Sequence, residues 1–150
     1  VVSFSACISA CEKSKQPVPA LALLREMEAC RMKPNIISYN AVIGACDADD
    51  RAELALDLLR EALWQRLQPT EVTYGAAISA CERGGRSELA LELFVDMKRF
   101  ALEPKLISYN AALAACRNGM RLDLAFDLLR NMWRGDVRPD AITHSTVVAA

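Results

Sequence analysis

The sequence predicts an all-α fold, a superhelical solenoid of stacked antiparallel helix-turn-helix repeats, and three observations carry that expectation. The stretch Lys33-Pro34-Asn35-Ile36-Ile37-Ser38-Tyr39-Asn40 returns in altered form at 68–75, 103–110 and 138–145, with Pro34, Pro69, Pro104 and Pro139 at equal steps of 35 residues. The intervals between prolines carry two runs of apolar residues at helical spacing, parted by turn-forming residues. Hydrophobic residues make up 53% of the chain and aromatics only 6%, so the apolar content is mainly Ala, Leu, Ile, Val and Cys, which suits helices that approach closely. A fixed period of this length marks an array in which each unit buries its apolar face against its neighbours.

The 150 residues divide into full units 1–35, 36–70, 71–105 and 106–140 and the opening of a fifth, 141–150, all parts of one solenoid segment. In the first unit Ser3 is expected to cap a helix. Pro17 and Pro19 fall at the start of the second helix, where a missing N–H is tolerated. In the second unit Pro34 fixes its own φ and biases Lys33 away from helix, separating one helix from the next. Ser38 is the expected N-cap of the helix that follows, with Thr73, Ser108 and Thr143 at the equivalent places. From Tyr39 to about Ala48 the residues Tyr39, Val42, Ile43 and Cys46 recur at helical spacing. Asp47-Ala48-Asp49-Asp50 breaks that pattern, as Arg83-Gly84-Gly85 and Asn118-Gly119 do in later units. A second helix is expected from about Ala52 to Gln65, with Leu54, Ala55, Leu58, Leu59 and Ala62 on one side. Leu89, Ala90, Leu93, Phe94 and Met97 repeat that set, and so do Leu124, Ala125, Leu128, Leu129 and Met132.

Eighteen basic residues face nineteen acidic ones, for a net charge of −1. A nucleic-acid binder relying on bulk charge is basic, so any such binding here must come from locally placed groups. No run approaches the roughly 18 apolar residues that cross a bilayer, so no membrane partner is expected. The chain lacks an initiating Met and any leader-like segment and stops partway through a unit, so it reads as a fragment of a longer protein whose targeting signal lies outside it.

Cys11, Cys46, Cys81 and Cys116 also step by 35, with Cys7 four residues before the first. A zinc site needs ligands converging at about 2.3 Å, whereas equivalent residues on stacked helices sit roughly 8–10 Å apart. Small, buried, reduced thiols are the expected state, without metal. His144 occupies the slot of Phe4, Tyr39, Tyr74 and Tyr109, and Trp64 and Trp133 come late in their second helices; all three are expected to pack. Nucleophile–base pairs, glycine-rich phosphate loops and paired carboxylates are missing, so the chain reads as non-catalytic and needs no cofactor.

Val/Ile-Ser/Thr-Tyr-Asn opening a unit of 35 residues, Ala-Leu-x-Leu-Leu-x-x-Met in its second helix and Pro-Asn or Pro-Asp closing it resemble the pentatricopeptide repeat, in its plain P-type form. The tetratricopeptide repeat has a 34-residue period and a Trp-x-x-Leu-Gly-x-x-Tyr pattern, neither of which occurs here. The resemblance implies a right-handed superhelix that binds single-stranded RNA with one base per unit. It implies a role in RNA processing, stability or translation in a chloroplast or mitochondrion, exerted by occupying the strand. Carried over residue by residue, the base-selecting pairs are Ser5 with Asn35, Asn40 with Thr70, Gly75 with Lys105, and Asn110 with Asp140, while Ser145 opens the next pair. Ser–Asn resembles an adenine reader, Asn–Thr a loose pyrimidine reader and Asn–Asp a uracil reader. Gly75–Lys105 matches no standard pair: either that unit is silent, or Lys105 touches phosphate. The register implied is A, pyrimidine, any base, U. Val2, Ile37, Val72, Ile107 and Ile142 occupy the family's base-sandwiching positions, although any solenoid could use them for interhelix packing instead. Lys13 and Arg83 stand where the family meets phosphate; Ala48 and Asn118 replace that charge in the other units. Two other readings stay open: a scaffold whose concave face takes a peptide of another protein, and an accessory segment of an enzyme.

Overall fold

The protein is described by a computed structural model over residues 2–46, 51–135, 137 and 143, with the side chains of Val2, Ser3 and Ser5 left aside. The expected turn at 47–50, with Ala48, lies outside the described residues, as do Asp140, Ile142, His144 and Ser145 and the side chains of Val2, Ser3 and Ser5. Eight helices are described: α1 (Val2–Lys13), α2 (Pro17–Ala29), α3 (Ile36–Ala45), α4 (Ala52–Trp64), α5 (Glu71–Arg83), α6 (Ser87–Arg99), α7 (Leu106–Asn118) and α8 (Leu122–Arg134).

They form two layers. Each first helix packs on the next first helix (α1 on α3, α3 on α5, α5 on α7), while α2, α4 and α6 each lie against the first helix of their own unit and that of the next. A first helix is therefore flanked on several sides and carries most of the fully buried residues, among them Val42, Ile43, Cys46, Ala77, Ile78, Cys81, Ala112 and Cys116. Small residues at 41 and 45, at 76 and 80, and at 111 and 115 are all Ala, one turn apart, which lets successive first helices come close. The aromatic that opens each unit, Tyr39, Tyr74 or Tyr109, is buried, and Phe94 meets Tyr109 edge-on at 5.2 Å between centroids. Tyr39 also donates its hydroxyl to Glu61 at 3.0 Å, and Arg25 grips the same carboxylate with bonds of 2.6 and 2.8 Å, tying α2 to α4 across a unit boundary. Arg25 holds the Glu61 carboxyl below its usual range.

The helix starts differ from expectation. Ser38, Thr73 and Ser108 are not the N-cap residues; they lie inside the first turn, buried, three residues after the caps. The caps are Asn35, Thr70 and Lys105, all with extended backbone. Asn35 Oδ1 accepts the Ser38 backbone N–H at 3.0 Å. Thr70 and Thr73 form a reciprocal capping box in which the Thr70 N–H donates to Thr73 Oγ1 at 3.0 Å. The residue after proline has extended backbone and is itself the cap, so each helix begins three places earlier than caps at Ser38, Thr73 and Ser108 would set it.

Trp64 and Trp133 do not pack either: they are 86% and 67% exposed at the ends of α4 and α8. Cys46, Cys81 and Cys116 are buried free thiols, each pushed up to about 11 by burial, whereas Cys7 and Cys30 are exposed.

Second helices end in a residue of positive φ, Arg31 (61°), Arg66 (60°) and Ala101 (58°), and the next N–H reaches back to close the helix, as from Leu102 to the Met97 carbonyl at 3.1 Å. An L side chain in this region costs about 1 kcal/mol that glycine does not. Ala101 is exposed, so Ala101→Gly is expected to raise the unfolding free energy by about 0.5–1 kcal/mol, read as a higher urea midpoint at unchanged slope.

Candidate nucleic-acid interface

Because the first helices run side by side, their N-termini gather along one edge, and residues at equal places in successive units line up. Ile37, Val72 and Ile107 form one such row. They are 66%, 57% and 70% exposed, so they are not buried between helices as the packing reading expects. Three large branched apolar side chains held in water at a 35-residue period need a functional account, since burial would otherwise stabilise each of them.

Beside this row runs a polar one, Asn40, Gly75 and Asn110, half-buried or buried one turn into α3, α5 and α7. Each faces the third residue of the next unit's first helix. Thr73 Oγ1 donates to Asn40 Oδ1, and Thr143 Oγ1 donates to Asn110 Oδ1. At Gly75 there is no side chain to receive a bond, and a Cβ there would lie 3.1 Å from Ser108 Oγ. The caps Asn35, Thr70 and Lys105 complete the edge. Asn35 Oδ1, occupied by the Ser38 N–H and hydroxyl, leaves its amide NH₂ as the group to present outward.

A cleft of about 250 Å³ opens between Val72 and Ile107, with Gly75, Ala76, Ser108 and Lys105 among its lining residues. A second, of about 240 Å³, lies past Ile107 and is lined by Ser79, Arg83 and Asn110. Lys105 Nζ sits 3.2 Å from Glu71 Oε1, so the third unit presents an ion pair instead of a lone cation. Glu71, first residue of α5, has its carboxyl lowered by its own backbone N–H and then by Lys105. Lys13 and Arg83 are exposed, each the last residue of its helix, at the end of the groove away from the caps. Lys15, Glu12 and Glu71 line the cleft and were not singled out in the sequence; only proximity brings them there, since α1 and α5 both border α3.

Among the described residues no group of three or more His, Cys, Asp or Glu gathers as a metal site would require, and no helix is long and apolar enough to cross a membrane. The exposed row makes a sharp energetic statement: Ile107→Ala should change the unfolding free energy by less than about 0.5 kcal/mol, whereas Met97→Ala, in the core, should cost about 2–5 kcal/mol by chemical denaturation.

The family profile for the pentacotripeptide-repeat region of PRORP matches residues 2–147. Nothing matches among curated protein sequences. Among solved structures, the PPR domain of Arabidopsis thaliana protein-only RNase P 1, in complex with tRNA, superposes with a TM-score of 0.82 at 20% identity, over 94% of this chain and 75% of that one. The pentatricopeptide repeat protein PPR10 from maize superposes at 0.76 with 27% identity, over 100% of this chain and 21% of that one. PPR10 in complex with an 18-nt psaJ RNA element gives 0.81 at 24% identity, over 97% of this chain and 21% of that one. The chain thus spans about a fifth of PPR10.

Proposed function

The chain belongs to the pentatricopeptide-repeat family, and on that premise we propose that it binds single-stranded RNA along the groove of its first helices, one base to a unit. The observation that carries this reading is the exposed row Ile37, Val72 and Ile107, which offers apolar faces between which bases can stack. The polar row and the caps supply the groups that tell bases apart. Asn40, its Oδ1 taken by Thr73, presents a donor, which suits the O2 acceptor that cytosine and uracil share and fits a loose pyrimidine reader. Asn110 with Asp140 adds an acceptor for the N3–H of uracil. The third unit, with Gly75 and a Lys105 already paired to Glu71, is the tolerant one. The order proposed along the chain is A, pyrimidine, any base, U, read from Ser5–Asn35 onward.

Such a protein acts by occupancy: it holds a strand extended and keeps nucleases and complementary strands away. An organellar setting is part of the proposal and rests on the family resemblance. The match to the PRORP region supports a second reading, in which this array is the RNA-holding segment of a longer RNA-processing enzyme. A folded tRNA transcript bound more tightly than any linear RNA would favour that second reading.

The test is fluorescence anisotropy with labelled RNAs carrying the proposed order, a scrambled order and the DNA equivalent, at two salt concentrations. Tighter binding to the first with a shallow salt slope is expected, and Ile107→Asp should weaken it about tenfold or more by setting a carboxylate against the base. Equal binding to all three with a steep slope, or full binding by Ile107→Asp, would contradict it.

A further inference from the structure

Taking the RNA-reading proposal as its ground, we infer that Thr73 and Thr143 are positioning residues: each fixes the amide orientation of the base-selecting asparagine in the unit before its own. Recognition by one unit therefore depends on a side chain contributed by the next.

The geometry at Thr73 is the more complete. Its hydroxyl accepts the Thr70 backbone N–H at 3.0 Å, and an oxygen that accepts from that N–H has its own hydrogen left to donate. That hydrogen goes to Asn40 Oδ1. Thr70 Oγ1, 3.4 Å from Thr73 Oγ1, is the other acceptor in reach, and the closer Asn40 Oδ1 takes the hydrogen. With the Thr73 hydrogen on its oxygen, Asn40 turns its carbonyl to Thr73 and leaves its NH₂ for the groove. Thr73 is fully buried, and the partners in reach of its hydroxyl are the Thr70 N–H and Oγ1 and Asn40 Oδ1. Thr143, also fully buried, repeats the contact to Asn110 35 residues × two further along the array. Between them, the third unit provides an internal control: Ser108 occupies the same place, buried, but faces Gly75, which has no amide to orient.

A hydroxyl at this place was expected to cap the helix. In a plain capping role its partner would be the helix's own first turn, and the neighbouring asparagine would be free to present either its oxygen or its nitrogen. The cross-unit bond removes that choice. It makes the asparagine a donor toward the base and excludes bases offering only a donor at that place.

The test compares Thr73→Val, which keeps shape and removes the hydroxyl, with Thr73→Ser, which restores it. Two readouts are needed. In the free protein, the Asn40 side-chain NH₂ should give a restricted, dispersed pair of amide signals in wild type and Thr73→Ser, collapsing toward free-amide positions in Thr73→Val. In RNA binding, Thr73→Val should cut the pyrimidine-over-purine preference at the second base about fivefold, the worth of one hydrogen bond, and leave the preferences at the first and fourth bases as in wild type. Ser108→Ala should change none of them. Unchanged Asn40 amide signals in Thr73→Val, or an unchanged second-base preference while RNA is still bound, would overturn the inference. If the amide signals change as expected but the wild-type chain binds no RNA, the positioning contact stands and the RNA reading falls. Should Thr73→Val fail to fold, Thr73→Ala replaces it with the same two expected changes, and unchanged Asn40 amide signals or an unaltered second-base preference in it would overturn the inference equally.

Discussion

The close approach of successive first helices is the constraint on which everything else here depends. A single helix pair of this length has too little apolar surface to bury by itself. Stacking supplies the missing cover, and alanines one turn apart at 41 and 45, 76 and 80, and 111 and 115 let the backbones meet without bulky side chains between them. Once α1, α3, α5 and α7 lie side by side, every first-turn residue has a counterpart one helix spacing away. The groove is therefore a product of core packing. Its aliphatic row points outward because the opposite face of each helix is already occupied by Tyr39, Tyr74, Tyr109 and the second helices.

That arrangement gives the helix starts two duties. Asn35 and Thr70 satisfy backbone N–H groups at their helix ends and stand at the groove edge beside the exposed aliphatics. Lys105 cannot accept a hydrogen bond, and its helix begins without side-chain capping; its ammonium instead pairs with Glu71. The third unit thus departs from its neighbours at the cap and at Gly75 together, and both departures leave its cleft open. The groove edge is uneven for a local reason, which bulk charge near zero could not reveal.

Much of the fold was legible in the residues. The 35-residue step of Pro34, Pro69, Pro104 and Pro139 marked unit boundaries, and the helical spacing of Tyr39, Val42, Ile43 and Cys46 marked a face that is indeed buried. What could not be read was which of several polar residues near a helix start does the capping: Asn35 and Ser38 are both good caps, and only backbone geometry separates them. Periodicity also fails to say which side of a helix faces water when both sides carry aliphatics, as Ile37 and Ile43 do on α3; the first is exposed and the second buried. Trp64 and Trp133 were placed in the core on residue type, but each follows the last turn held by its neighbours and projects past the packed layer. The bond from Thr73 to Asn40 joins residues 33 apart, a spacing invisible until one helix is set against the next.

The central claim is that RNA bases lie between the exposed aliphatic side chains of the first helices, and methyl spectra of the chain with and without a single-stranded RNA test it most directly. A base stacked on a methyl group moves its signal upfield through the ring current. The account predicts upfield shifts of the Ile37 and Ile107 δ1 methyls on adding RNA, with the buried Ile43 and Ile78 methyls nearly unmoved. Shifts confined to Leu63 and Val95 on the second helices, with Ile37 and Ile107 unchanged in the presence of bound RNA, would contradict it.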